Sequence, residues 1–144
     1  MIEKDSVKLL RECDAGVKMG CESIREVVDF VKSEDFRKKL ELCEAEHAKL
    51  EKEIEMRLER FGDDGKNPNP IARGMSWMKT NFKMAVDHSD GTIADLMTDG
   101  CNMGVKSLNK YLNQYEAADE ISKDIAKRLI NLEEKLAVDI RAFV

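Results

Sequence analysis

Apolar residues recur along most of this chain at spacings of three and four, the period of one face of an α-helix, and nowhere alternate over a strand's length. Leu10, Val17, Cys21, Ile24, Val28 and Val31 predict an amphipathic helix over about residues 5–32. Ser33 follows as an N-cap, with Glu34 and Asp35 where the positive end of a helix favours acids, so a second helix is expected over 34–61. Its seam is the most regular in the chain: Phe36, Leu40, Cys43, His47, Leu50, Ile54, Leu58 and Phe61 step by 4, 3, 4, 3, 4, 4 and 3. A helix of that length spans about 42 Å. Its other face holds the i,i+4 pairs Glu34–Lys38, Asp35–Lys39 and Glu53–Arg57, each adding a few tenths of a kcal/mol.

The strongest breakers cluster in FGDDGKNPNP, residues 61–70, which marks the main loop. Beyond it Ile71, Met75, Met78, Phe82 and Ala85 predict a crossover helix over 70–87. Ser89 or Asp90 then caps a helix with Ile93, Met97, Cys101, Gly104, Leu108, Leu112 and Tyr115 on its seam, over 90–115. The polar stretch EAADE turns the chain into a last helix carrying Ile125, Leu129, Leu132, Leu136, Ile140 and Phe143. The short links within the first and last helix pairs make each pair antiparallel, and the long link between pairs can cross the bundle. The expectation is an all-α four-helix bundle, a single domain over 1–144, with two α-hairpins joined by a crossover that carries an extra helix.

Composition narrows the function classes. With 37% charged residues, 8 Gly and 2 Pro, salt-laced helices fit far better than a sandwich or barrel. The balance of 24 Lys+Arg against 29 Asp+Glu leaves a net charge of -5 with no basic stripe, which argues against nucleic acid. No apolar run is long enough for a membrane span or signal peptide, so a soluble cytoplasmic protein is expected. Cys13, Cys21, Cys43 and Cys101 show no CxxC spacing and read as buried free thiols. P-loop, nucleophile-elbow, dinucleotide and H-E-x-x-H motifs are absent, and His88 has no evident partner.

One constellation suggests chemistry. Glu44 and His47, at i and i+3 beside the seam of the second helix, could reach one inward ion. The stretches DAGVKMGCES, EAEHAKLEKEI and GMSWMKTNFK resemble a bacterial ferritin-like family of about this length, in the structural group of rubrerythrin and bacterioferritin. The resemblance spans nearly the whole chain and implies a ferritin-like bundle, with the first-helix acid falling on Glu22 and the second-helix pair on Glu44 and His47. The chain departs from the di-iron pattern in its second half. DGCNMG puts Cys101 and Asn102 where an acid is needed, and in the last helix Glu133 and Glu134 are followed three residues on by Leu136 and Ala137 rather than His. With half the ligand set missing, bridged di-metal redox chemistry has no support.

His47 therefore reads as a core histidine bonded to a carboxylate, with Glu44 or Glu22 as the expected partner. A thiolate-imidazole zinc site from Cys43 and His47 with Cys21 and Cys101 competes with the simpler account of small thiols filling a crowded centre. Gly20 and Gly104 would let helices approach there, and the eight Met residues are adaptable packing. The sequence reading is a non-catalytic ferritin-like structural or interaction protein without a cofactor. Its alternative is an iron- or zinc-binding protein or oxidoreductase using Glu22, Glu44 and His47. Gly74, Trp77 and Met84 form a second stripe on the crossover helix, which predicts a homodimer through residues 70–87. The rival is a helix lying in a groove with both faces buried in one chain.

Overall fold

The computed structural model describes residues 2–63 and 77–144, which are helical almost throughout and, among the described residues, contain no strand. Four long helices, α1 (Ile2–Val27), α2 (Glu34–Arg60), α4 (Asp90–Gln114) and α5 (Glu120–Ile140), are joined by a shorter α3 over 77–84. The first helix starts earlier than the periodicity marks and ends in one 3-10 turn, Val28–Phe30. On α3, Met78 and Phe82 are buried as predicted, while Ile71, Gly74 and Met75 lie outside the described residues.

Side-chain caps set the starts. The Ser33 hydroxyl accepts from the Phe36 amide, the Ser89 hydroxyl from Thr92, and the Asp119 carboxylate from Ser122. Helix α2 stops at a left-handed cap: Gly62 has φ +73°, its amide donates to the Glu59 carbonyl, and the Asp63 amide donates to that of Leu58. Gly62→Ala is expected to cost about 1 kcal/mol by urea unfolding, because the added Cβ meets no other atom and only the left-handed backbone is penalised.

Contacts between helix ends fix their directions. The Asp90 carboxylate, opening α4, accepts from the Lys32 and Ser33 amides at the start of α2, so α2 and α4 run parallel. Asp119, opening α5, binds the Arg57 guanidinium near the end of α2, and its amide donates to the Ser6 hydroxyl near the start of α1. At the other end of α5, Phe143 stacks on Phe36 with ring centroids 4.8 Å apart. The order is up-down-down-up, two antiparallel hairpins connected along the length of the bundle.

Every predicted seam residue of α2 from Phe36 to Leu58 is buried. The core itself falls into two apolar halves. One gathers Ile24, Phe36, Leu40, Met78, Ile93 and Ile140, and the other Leu9, Leu10, Ile54, Leu58, Ile125 and Leu129. Between them lies a polar layer.

Candidate functional site

The layer is built around His47, which is 1% exposed. As a seam residue of α2 it points inward, and Gly20 of α1 makes room for it: a Cβ at Gly20 would stand 2.9 Å from the ring. Here the close approach requires glycine. The ring Nδ1 lies 2.9 Å from the Cys43 carbonyl oxygen, one turn back, and 3.4 Å from the Cys43 Sγ. On the other side Nε2 lies 3.3 Å from Oε1 of Glu133, which reaches across from α5. The Glu133 carboxylate sits between Gly20 and Gly104, whose Cβ positions would lie 3.6 and 3.5 Å from it.

Burial opposes charge on His47, but the hydrogen bonds with Cys43 and Glu133 and the nearby carboxylate outweigh it and raise its pKa from 6.5 to about 10. His47 is thus an imidazolium at neutral pH, donating through Nδ1 to the Cys43 carbonyl and through Nε2 to Glu133. The neighbouring thiols shift the other way in function: burial, joined by the Glu133 charge, pushes Cys101 far up, and burial chiefly raises Cys21 to about 11. They are inert protonated thiols at neutral pH.

The three residues weighed as ligands are not brought together. Glu22 and Glu44 both accept from Arg25, at 3.0 and 2.9 Å, in a partly exposed bridge between α1 and α2. Neither is the partner of His47, contrary to expectation; Glu133 is. Among the described residues no group of three or more His, Cys, Asp and Glu is placed to hold a metal ion.

Periodicity missed Glu133 because it stands beside the Leu129–Leu132–Leu136 seam and fails the Glu-x-x-His pattern. The signal that points to it is the pair of glycines, Gly20 and Gly104, at the level of His47. His88 does have partners: Nε2 lies 2.9 Å from the Phe82 carbonyl, and its ring stacks on Phe82. Of the predicted second stripe, Gly74 lies outside the described residues, Trp77 is partly buried against the half of the core that holds Phe36 and Met78 and lies 3.9 Å from a Cβ position at Gly100, and Met84 is 79% exposed.

Among the described residues no helix is long and apolar enough to cross a membrane. Compared with protein-family models, curated proteins and solved structures, the chain matches none of them.

Proposed function

We propose that this chain is a ferritin-like bundle that acts as a non-catalytic structural or interaction protein. The up-down-down-up order, with a crossover connecting parallel helices, supports the ferritin-like part. The observation that carries the non-catalytic part is the internal use of the polar layer: both nitrogens of His47 are taken by Cys43 and Glu133. An ion pair of this kind organises a core, and it leaves His47 no nitrogen for general-base chemistry or ligation.

Homodimerisation belongs to the same reading. Met84 at the end of α3 and Val86 just beyond it are exposed, and Phe30 is also exposed and packs edge-on against Phe82, which gives a mate an apolar surface at that end of the bundle.

The test is elemental analysis and sedimentation on one preparation purified without chelator. The expected result is well under one iron or zinc per chain together with a twofold mass. About one transition-metal ion per chain, lost in His47→Leu, would establish the metal-binding alternative, and a monomer at high concentration would remove the dimer.

A further inference from the structure

A cleft of about 190 Å³ opens between α1 and α4, with the Glu133 carboxylate in its lining. Gly16 and Gly100 keep its walls thin, Met19 and Met97 flank it, and Trp77 stands at one end. The cleft is distinct from the His47 pairing, although it shares Glu133 with it.

Helix packing does not explain these glycines. A Cβ at Gly16 would meet Leu129 at 3.6 Å, one at Gly100 would meet Trp77 at 3.9 Å, and one at Gly104 would meet Glu133 at 3.5 Å, all ordinary contact distances. Alanine would fit at each, and glycine inside a helix costs about 1 kcal/mol relative to alanine. Among the described residues nothing fills the space that these three glycines leave open. Its size is that of a small molecule, since a cavity of about 150 Å³ accommodates benzene.

The lining selects the occupant. Polarizable thioethers and the Trp77 ring favour an apolar body and tolerate a cation near their faces. Two acids among the described residues line the cleft, Glu12 and Glu133, which makes it a cation-favouring space; Glu133 is 12% exposed and already accepts from His47 through Oε1. A carboxylate has lone pairs for further donors and repels a second anion. We propose that the cleft binds a small amine bearing one aromatic or branched aliphatic group, with its ammonium on Glu133 and its apolar part between the glycine-lined walls. This goes beyond the scaffold role, and metal content is blind to it, so either reading can fail alone.

Trp77 is the only tryptophan in the chain and reports on the site directly. The protein is titrated with 2-phenylethylamine, 2-phenylethanol and phenylacetate at pH 7, followed by Trp77 fluorescence and calorimetry. The amine is expected to saturate with a Kd of about 0.1–1 mM, and the alcohol to bind roughly tenfold more weakly. Phenylacetate is expected not to saturate. Glu133→Gln should weaken the amine about tenfold while moving the alcohol less than about twofold. Gly100→Leu, which fills the cleft, should abolish binding with the helical circular dichroism retained. If that variant loses its helix signal, Gly100→Ala replaces it, with an expected loss of about threefold from a methyl group inside the site. Absence of amine binding, an acid or alcohol binding as well as the amine, or amine affinity unchanged in the foldable Gly100 variant would overturn the assignment.

Discussion

Glu133→Leu is expected to destabilise the bundle by about 3–5 kcal/mol at pH 6, and His47→Leu by less than about 2 kcal/mol. The asymmetry follows from where each partner of the pair sits. Removing the acid leaves a histidine that is 1% exposed without its counterion, so burial drives off its proton, the stabilisation of the pair is lost and Nε2 stays buried without a partner. Removing the imidazole leaves a carboxylate that lines the α1–α4 cleft, through which water can reach it, while leucine fills the vacated volume with apolar contacts. The double variant should recover most of the loss, because two apolar side chains replace the pair together. Urea unfolding of the four proteins completes the cycle. Equal losses in the two single variants, or additivity in the double, would show that the pair is not coupled as its geometry requires.

The same pair should give the wild type a falling stability profile on the alkaline side. The folded-state pKa of His47 is raised from 6.5 to about 10, so the folded protein holds this proton more tightly than the unfolded chain. That contribution is fully present below about pH 6.5 and is lost as pH rises through about 10. Its size is roughly 3–5 kcal/mol, from 1.36 kcal/mol for each pH unit of the shift. The buried thiols act in the same direction, since burial chiefly holds Cys13 at about 12 and Cys21 at about 11 while the unfolded chain ionises them near 9. The His47 share is therefore read as the difference between wild type and His47→Leu across pH 6.5–10. In Glu133→Leu the slope near neutrality should reverse: with its counterion gone, His47 is forced neutral by burial, and stability then rises as the unfolded chain also loses that proton. A wild-type profile that matches His47→Leu over this range would show that the histidine is neutral in the fold.

How far the sequence carried this picture depends on what each residue answers to. The α2 seam was legible because every position from Phe36 to Leu58 packs inward on a single straight helix, where the period alone decides the face. Ser33 was legible for a local reason: its hydroxyl meets an amide three residues ahead. The start of α1 was not, since its first turn, with Glu3 and Asp5, gives no apolar periodicity to read. Asp90 illustrates a different limit. It looked like a cap for its own helix, but Ser89 takes that role, and the Asp90 carboxylate instead binds amides 58 and 57 residues away. Glu133 was missed for the same cause, as its partner is 86 residues distant and no spacing rule links two helices that meet only in the folded bundle. Glu22 and Glu44 were misjudged in a related way. Each was paired with His47 by its closeness to the seam, yet Arg25, four residues after Cys21, reaches both first.

The four cysteines give the molecule a set of internal clocks. Cys13 belongs to one apolar half of the core, and Cys43 and Cys101 to the other, while Cys21 is also buried. A protonated thiol under packed side chains reacts with an alkylating reagent only after the surrounding structure opens. Mass-resolved labelling of the unmodified protein therefore times the opening of each half separately. If Cys13 and Cys101 are captured at one common rate, the polar layer welds the halves into one cooperative unit; two rates would mark it as the boundary along which the bundle comes apart.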